Sequence, residues 1–209
     1  MKISGTNLGI IPVTAPMPKH YKQKGLTYRY KSKVTGKTRS LAYSVELGEG
    51  SFAKVFLAYD IDNLQEVFAL KKISMENMEK TVILTGGDFE DQKAKLKKEI
   101  KLLELVDRAG CKNVAGMIEH KPSQNNYYLI MEPANCGDLF GFVGARGGFL
   151  QEKEAQVVMR QLVAGFNELM EISVIHRDMR TENVLVYSDE IPDSYLLEKA
   201  RGKEPTFDI

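Results

Sequence analysis

A glycine-rich turn near residue 50 sets strict limits on the fold. Leu47–Val55 reads Leu-Gly-x-Gly-x-x-Ala-x-Val, and glycines let backbone N–H groups approach phosphate oxygens without a Cβ in the way. A dinucleotide-binding fold needs a helix directly after the glycines. Here residues 53–59 are rich in β-branched and aromatic residues, which predicts a strand. No Gly-Lys-Ser/Thr follows, so the Walker pattern is excluded. A strand, a glycine turn and a second strand predict a hairpin that can fold over a nucleotide.

Two patterned segments follow this hairpin. Val67–Ile73 is an apolar strand from which a lysine emerges, and by period-two alternation Lys71 shares a face with Ala69. Lys95–Val106 has apolar residues at helical spacing, which predicts a helix. Between the two, Thr81–Asp88 contains a Gly-Gly pair and is typical of an inserted loop.

The stretch Ile175–Leu185 carries side chains that suit one chemistry. Asp178 can accept the proton of a substrate hydroxyl, Arg180 can neutralise charge on a phosphoryl group, and the amide oxygen of Asn183 can hold a magnesium ion. In phosphoryl transfer, such positioning and electrostatics supply most of the catalysis. The segment before it, Gln151–Ile172, has one apolar stripe at helical spacing and predicts a helix whose stripe is core.

The order of these motifs resembles that of the protein kinases. Ile175–Leu185 resembles their catalytic loop, His-Arg-Asp-x-Lys-x-x-Asn, and Val67–Ile73 resembles their Val-Ala-Ile-Lys strand. Tyr127–Leu139 resembles the hinge between the two kinase lobes, and the whole resemblance covers about Leu41 to Leu185. It implies an α+β, bilobal kinase-like fold with a complete small β-rich lobe, a partial helical large lobe, and ATP between them.

The resemblance also implies an ATP site. Its residues would lie in the glycine loop, the lysine strand, the following helix, the hinge and the strand after the catalytic loop: Leu47, Gly48, Gly50, Ser51, Val55, Ala69, Lys71, Glu99, Met131, Glu132, Ala134, Asp138 and Leu185. Lys71 would reach the α and β phosphates, and Ala69 would contact adenine. Glu99 would hold Lys71, with Glu104 as the alternative partner. A surface lysine at a strand end is the commoner fate of a residue like Lys71.

The hinge carries the remaining nucleotide contacts that the resemblance implies. Met131 would lie at the back of the adenine pocket, and Leu185 would form its floor. The backbone groups of Glu132 and Ala134 would hydrogen-bond adenine, and Asp138 would bind the ribose hydroxyls. Asp138 is equally suited to cap the helix that follows it, and the two roles are compatible.

The implied cofactors are ATP and Mg²⁺. Asp178, Arg180 and Asn183 would be catalytic, with Asn183 also the metal ligand, and His176 is interpreted as a structural histidine that braces the loop. Arg180 replaces the usual lysine, so a planar fork replaces a point charge. Thr181–Asn183 is similar to the serine/threonine type, which implies a protein substrate phosphorylated on Ser or Thr. The hinge is also similar to those of unc-51-like and calcium/calmodulin-dependent kinases.

One family motif is missing from the sequence. Kinases follow the catalytic loop with Asp-Phe-Gly, whose Asp binds magnesium, and this chain contains no such triplet. A polar run, Ser188–Pro205, comes instead. Asp208 is a candidate for the chelating Asp, but Phe207–Ile209 is better interpreted as the start of the strand that leads to Asp-Phe-Gly. We therefore expect a catalytic domain truncated before that motif.

Three functional hypotheses follow. The chain is part of an active Ser/Thr kinase, a nucleotide-binding protein without catalysis, or a kinase-like regulatory or interaction module. A truncated large lobe would leave apolar faces exposed and one magnesium ligand short, which favours the second. Because a pure scaffold needs no Asp and Asn at the spacing of Asp178 and Asn183, the complete catalytic set weighs against the third and favours the first.

Composition is that of an intracellular, cytoplasmic globular protein. The 209 residues are 43% hydrophobic and 27% charged, enough for one domain with a sizeable core. The two cysteines, Cys111 and Cys136, have no framework spacing, which favours a reducing compartment. No apolar run approaches the length of a transmembrane segment, so none is expected.

Charge is unevenly distributed along the chain. Met1–Val45 contains nine Lys or Arg and no acidic residue, which leaves twenty basic against twenty-eight acidic residues elsewhere, or −8. We expect residues 1–40 to be a basic, largely disordered arm that can contact an acidic partner, with no nucleic-acid partner expected. Its Tyr28–Ser40 part is a candidate edge strand. The small lobe would span 41–132, and the hinge and partial large lobe 133–209.

Overall fold

The structure is a computed structural model that describes residues 1–4, 26–63 and 66–187. Most of the basic arm, the polar run Ser188–Pro205 and Asp208 lie outside the described residues. The chain divides into two compact units. The sheet unit comprises Pro18–Asp107 and Gly116–Pro133, and the helix unit comprises Met1–Met17, Arg108–Ala115 and Ala134–Ile209.

The described elements are mainly strands in the first half of the chain and helices in the second. The strands are β1 (Lys2–Ser4), β2 (Leu26–Lys31), β3 (Thr38–Glu49), β4 (Ala53–Asp60), β5 (Val67–Ser74), β6 (Met117–Pro122), β7 (Asn126–Met131) and β8 (Leu185–Tyr187). The helices are α1 (Met75–Thr85), α2 (Phe89–Ala109), α3 (Leu139–Ala145) and α4 (Glu152–Glu171), with a 3-10 turn at Thr181–Asn183. None of these helices is both long and apolar enough to cross a bilayer.

The sheet unit is built on one six-stranded antiparallel sheet in the order β2-β3-β4-β5-β7-β6. β2 is an edge strand, as predicted for Tyr28–Ser40, but it spans only Leu26–Lys31, and residues 38–40 belong to β3. β3 and β4 form the predicted hairpin around the glycine turn, which confirms that a strand follows the glycines. β1 is an ordered strand at the start of the predicted arm, and the domain boundaries at 40 and 132 stay predictions.

The two faces of the sheet bury different apolar clusters. One cluster includes Phe68, Leu70 and Ile130, and the other includes Ile73 and Leu129 together with buried side chains of α1 and α2. Residues of β5 alternate between the two, as the period of a strand requires. The odd-numbered face of β5, which also carries Lys71, is therefore the face that packs on the helices.

The sheet curls until its two edge strands approach each other. Tyr28 on β2 stacks on Tyr128 of β7, with ring centroids 3.9 Å apart. Glu119 on β6 accepts a hydrogen bond from the backbone N–H of Lys33, in the turn after β2, and its carboxylate lies 3.3 Å from the Nζ atom of Lys121. The side chain of Glu119 is only 5% exposed, so this carboxylate closes the curl from inside.

Substituting Glu119 with glutamine is expected to flatten the dependence of stability on acid pH. Burial would raise the pKa of Glu119, but hydrogen bonds from Lys33, Ser32 and Lys121 outweigh it and lower the pKa below its usual 4.5. A lowered pKa means stability that is present above pH 4.5 and is lost as the pH falls through the folded-state pKa. Urea unfolding of both proteins from pH 7 to pH 3 measures this. Parallel profiles of the two proteins would refute the role of Glu119.

The segment Thr81–Asp88 is not a loop, and this prediction is wrong for most of its length. Helix α1 runs to Thr85, and only Gly86–Asp88 form the turn into α2. The Oγ atom of Ser74 accepts a hydrogen bond from the N–H of Asn77 and caps the start of the helix. Gly86 ends it with a φ of 69°, a conformation that favours glycine. The sheet unit therefore carries two helices, α1 and α2.

The helix unit contains α3, α4 and the two-stranded parallel pair β1–β8. The predicted helix Gln151–Ile172 is confirmed. Helix α4 spans Glu152–Glu171, and Gln151 and Ile172 are its N-cap and C-cap residues. Its apolar stripe is only partly core, which corrects the prediction. Val158 and Leu169 are buried, whereas other stripe members are 39–70% exposed: Met159, Val163, Phe166 and Met170.

Candidate active site

The glycine loop is a tight turn at the end of the β3–β4 hairpin. The N–H of Gly50 donates to the carbonyl oxygen of Ala53 at 2.7 Å and closes the turn. Neither Gly48 nor Gly50 has a positive φ, so the backbone of the turn does not itself require glycine. A Cβ at Gly48 would meet nothing within 4 Å, so the backbone of this residue, which lies in one hairpin with Leu47 and Ser51, is open on that side.

The register of the sheet places the predicted strand residues side by side. Lys71 lies between Val55 on β4 and Leu129 on β7, and Ala69 lies opposite Met131. Residues directly opposite each other on antiparallel strands share a face, and alternation places Lys71 and Ala69 on that same face. Val55, Ala69, Lys71 and Met131 therefore form one contiguous surface of the sheet.

Helix α2 supplies the carboxylate for the lysine. The Nζ atom of Lys71 lies 2.8 Å from the Oε1 atom of Glu99, with 28% of the lysine side chain and 49% of the glutamate side chain exposed. Buried Leu96 and Ile100 hold α2 against the sheet on either side of Glu99 along the helix. An ion pair with this exposure contributes about 0–1 kcal/mol to stability. Its main effect is to fix the position of a cationic group.

The alternative partner, Glu104, makes a different contact. Its Oε1 atom lies 3.2 Å from the Nε2 atom of His120 on β6, so it ties the second half of α2 to an edge strand. The choice between Glu99 and Glu104 is thus resolved in favour of Glu99 as the residue beside Lys71.

The hinge residues fall at the border of the two units. Met131 ends β7, Glu132 is exposed, and Ala134 accepts a hydrogen bond from the N–H of Gly137. Asp138 caps α3, since its Oδ1 atom accepts the N–H of Gly141 at 2.7 Å. The capping role expected for Asp138 is therefore confirmed.

The predicted catalytic loop, Ile175–Leu185, brings Asp178 and Asn183 together. The Nδ2 atom of Asn183 donates to the Oδ2 atom of Asp178 at 2.7 Å and to the Asp178 backbone carbonyl at 2.9 Å. The Nε atom of Arg180 lies 3.8 Å from the Oδ1 atom of Asp178. The Asp178 side chain is 69% exposed and the Arg180 side chain 60% exposed, so the carboxylate and the cation are both open to a substrate.

The backbone around this loop is bent in an unusual way. Arg177, directly before Asp178, has a φ of 68°, in the left-handed region that non-glycine residues seldom adopt. His176 is half-buried, which agrees with a bracing role, and no hydrogen-bond partner lies at its buried Nδ1 atom. Burial first, and the charge of the Met1 ammonium second, lower the pKa of His176. The imidazole is therefore neutral near pH 7.

The donor set of the loop fits a magnesium ion. Mg²⁺ prefers hard oxygen ligands and is usually held by one or two carboxylates together with water and substrate phosphates. The Nδ2 atom of Asn183 is engaged with Asp178, which leaves the amide oxygen as the donor that the side chain can offer. Among the described residues there is no group of three His, Cys, Asp or Glu that could hold a metal by itself.

Two contacts beside the loop had no clear signal in the sequence. The Glu168 carboxylate on α4 accepts two hydrogen bonds from Asn113, one from its backbone N–H at 2.8 Å and one from its side-chain Nδ2 atom at 2.9 Å. These bonds anchor the helix that precedes the catalytic loop. β1 pairs with β8 directly after the loop. Neither a lone carboxylate on a helix nor a three-residue strand has a pattern long enough to predict.

The predicted residues are thus grouped within each unit. Lys71, Glu99, Val55, Ala69 and Met131 belong to the sheet unit, together with the glycine loop. The helix unit contains the loop residues and the hinge end of the predicted site: Asp178, Arg180, Asn183, Asp138, Ala134 and Leu185. Leu185 forms an isolated bridge with Asp138, so these two are neighbours.

Comparison with known proteins agrees with these motifs. The protein kinase domain family matches residues 41–192. The chain is 33% identical to an Aurora kinase of Encephalitozoon cuniculi over 68% of its length, and 34% identical to the serine/threonine-protein kinase chk-1 of Caenorhabditis elegans over 67%. It is 28% identical to a calcium/calmodulin-dependent protein kinase type 1 of Caenorhabditis briggsae over 78%.

The chain spans less than half the length of these three relatives, at 48%, 26% and 41% respectively. Their names cover several groups of kinases and do not single out the subfamily that the hinge suggested. The expected α+β kinase-like fold is confirmed by the curled sheet with its helices and by the family match. The chain belongs to the protein kinase family.

Proposed function

We propose that this protein is an ATP-dependent protein serine/threonine kinase, which transfers the γ-phosphate of ATP to a protein hydroxyl. The observation that carries the proposal is the ion pair between the Nζ atom of Lys71 and the Oε1 atom of Glu99, at 2.8 Å. The pair is too exposed to contribute much stability. A lysine held in one place beside an open glycine loop is suited to a phosphate chain.

The chemistry proposed for the helix unit needs three side chains. The Asp178 carboxylate accepts the proton of the substrate hydroxyl as the hydroxyl oxygen bonds to the γ-phosphorus of ATP, the bond from that phosphorus to the β,γ-bridging oxygen breaks, and ADP leaves. The Arg180 guanidinium neutralises the charge that develops on the transferred phosphoryl group. Asn183 holds the Asp178 carboxylate through its Nδ2 atom, which orients the base before substrate arrives.

Magnesium is the metal that this mechanism implies. Asn183 would hold it through the amide oxygen, in agreement with the preference of Mg²⁺ for oxygen ligands and phosphates. When bound, the ion supplies positive charge next to the phosphate oxygens. The protein contributes the orientation of Asn183.

The nucleotide contacts are proposed from the sheet surface and the hinge. A Cβ at Gly48 would meet nothing within 4 Å, which leaves room for a phosphate at the glycine loop, and Leu47, Gly50 and Ser51 lie in the same hairpin. Val55, Ala69 and Met131 of the sheet unit supply apolar area for adenine, and Leu185 of the helix unit is proposed as its floor from the family resemblance alone. Glu132 and Ala134 offer backbone hydrogen bonds to its edge, and Asp138 offers a carboxylate oxygen to the ribose.

The proposed partner is a protein with an accessible serine or threonine, as the names of relatives such as chk-1 suggest. We also propose that the protein acts inside the cell, in the cytoplasm, because the spacing of Cys111 and Cys136 is not that of a disulfide framework. A contact between the basic arm and an acidic partner stays a proposal based on the nine basic residues of Met1–Val45.

Glu99→Gln is expected to lower kcat/KM for phosphorylation about a hundredfold. Without its partner, Lys71 is displaced, and a displacement of a positioning group by about 1 Å lowers the reaction rate by about that factor. Glu104→Gln is the matched control, because it removes the same charge from the same helix without touching Lys71. Phosphate transfer from ATP to a serine peptide, measured over a range of ATP concentrations, compares them. Equal losses in both variants would show that the charge of α2, and not the Lys71 contact, matters.

A nucleotide-binding but inactive kinase-like module is the alternative. The exposed apolar side of α4, with Met159, Val163 and Met170 more than half exposed, favours it as a surface for another protein. Tight Mg·ATP binding without any phosphate transfer by the unsubstituted protein would establish this alternative over the kinase.

A further inference from the structure

We infer that Met1 and β1 (Lys2–Ser4) act as a positioning strand that holds Asn183 and Leu185 in place for the nucleotide and its metal. The inference rests on the proposed function, because Asn183 is the proposed metal ligand and Leu185 the proposed floor of the adenine pocket. No part of the match to the kinase domain family, residues 41–192, covers this strand. Its placement therefore does not follow from that match.

The backbone of the N-terminal segment is hydrogen-bonded to the end of the catalytic loop. The amino nitrogen of Met1 donates to the carbonyl oxygen of Asn183 at 3.2 Å, and the N–H of Leu185 donates to the carbonyl oxygen of Met1 at 2.9 Å. Beyond them, β1 continues in parallel register with β8. The first of these bonds joins residues 182 positions apart in sequence.

β8 is held from both sides. On the edge away from β1, the N–H of Val186 donates to the carbonyl oxygen of Gly137 at 2.8 Å, and the N–H of Cys136 donates to the carbonyl oxygen of Val186 at 3.1 Å. Val186 is 1% exposed and Cys136 is fully buried. Without β1, one edge of β8 would lose its described partner, next to the residue proposed to hold the metal.

The side chain of Met1 occupies a slot in the helix unit. Met1 is 4% exposed, and its Sδ atom lies 2.5 Å from the position that a Cβ on Gly165 of α4 would take. That Cβ would also lie 3.0 Å from the carbonyl oxygen of Asn113. Glycine at position 165 therefore makes the room that lets Met1 reach the catalytic loop.

Asn183 is then held at two points. Its carbonyl oxygen accepts from Met1, and its Nδ2 atom donates to Asp178, so its amide oxygen is oriented by contacts at both ends of the residue. Groups that orient a metal ligand from outside typically change metal affinity about 10–100-fold when they are removed. A contribution of β1 should consequently appear in magnesium-dependent nucleotide binding.

Ile3→Pro tests the strand, with Ile3→Val as the matched control. Proline removes a backbone N–H from β1 and disfavours a ladder, whereas valine keeps the N–H and the preference for a strand. The dissociation constant of ATP is measured by calorimetry with Mg²⁺ and with EDTA. We expect Ile3→Pro to reduce the gain in affinity that Mg²⁺ produces about tenfold, and Ile3→Val to leave it unchanged.

Hydrogen exchange of the Leu185 amide gives a second readout that does not depend on nucleotide. Exchange of this amide in Ile3→Pro is expected to be faster, because its acceptor on Met1 is displaced. Gly165→Ala should act in the same way by expelling the Met1 side chain. Gly144→Ala on α3 is its control, since a Cβ there meets nothing within 4 Å.

The outcomes separate this inference from the proposed function. Faster Leu185 exchange together with an unchanged magnesium-dependent gain would overturn the positioning role of β1, and unchanged exchange in Ile3→Pro would overturn the docking itself. If the unsubstituted chain binds no Mg·ATP, the proposed function fails and the nucleotide role of β1 fails with it. Leu185 exchange would then still decide whether the strand docks.

Discussion

Asp178→Asn is expected to lower kcat about a thousandfold, within the range that a general base contributes. Asparagine has nearly the same shape and retains an oxygen that can accept from the Nδ2 atom of Asn183, but it cannot take the proton of a substrate hydroxyl. Because the Asp178 side chain is 69% exposed, stability should stay close to that of the unsubstituted protein. Transfer of labelled phosphate to a serine peptide at saturating Mg·ATP, together with thermal unfolding, measures both effects.

Glu182→Gln is the control for Asp178→Asn. Glu182 is an exposed carboxylate on the same loop, and it accepts a hydrogen bond from the Thr181 hydroxyl. Its removal lowers the negative charge of the loop by the same amount without removing the proposed base. Near-normal turnover by Asp178→Asn would show that another group accepts the proton. A comparable loss in Glu182→Gln would assign the effect to net charge.

Lys71→Met is expected to lower kcat/KM for ATP about five-hundredfold, the scale seen when one preorganised electrostatic contact to a developing charge is removed. Methionine retains a long apolar stem, so the packing beside Val55 and Leu129 should survive. The ammonium that would meet the phosphates is lost. The phosphorylation rate at several ATP concentrations separates a change in binding from a change in turnover.

Lys72→Met is the matched control for Lys71→Met. Lys72 is the next residue of β5, and alternation directs its side chain to the opposite face of the sheet. The Lys72→Met substitution therefore removes the same charge from the same strand without disturbing the contact between Lys71 and Glu99. If Lys72→Met reduces activity as much as Lys71→Met does, the general charge of the sheet unit is responsible and the assignment of Lys71 fails.

Features of the site that depend on neighbours in sequence could be predicted. The alternation in Val67–Ile73 correctly placed Lys71 and Ala69 on one face, and the helical period of Gln151–Ile172 defined α4 to within one residue at each end. The spacing of Asp178 and Asn183 was also informative, because a short loop brings residues five positions apart within hydrogen-bond reach. Each of these is a property of a single segment.

Features that depend on which surfaces meet could not be predicted in this way. Glu99 and Glu104 have the same side chain on the same helix, and only the packing of α2 directs one to Lys71 and the other to His120. The apolar stripe of α4 has a helical period throughout, yet Met159 and Met170 are exposed because periodicity identifies an apolar face without specifying what covers it.

Local patterns thus determined the hairpin, helices α2 and α4, and the spacing of the chemical groups, because hydrophobic period and turn residues act over a few positions. Tertiary structure alone determined the curl of the sheet through Glu119 and Lys33, and the pairing of β1 with β8 beside Asn183. The residues in these contacts lie 86 and 182 positions apart. Their hydrogen bonds form only once the chain has folded, and no short sequence pattern records them.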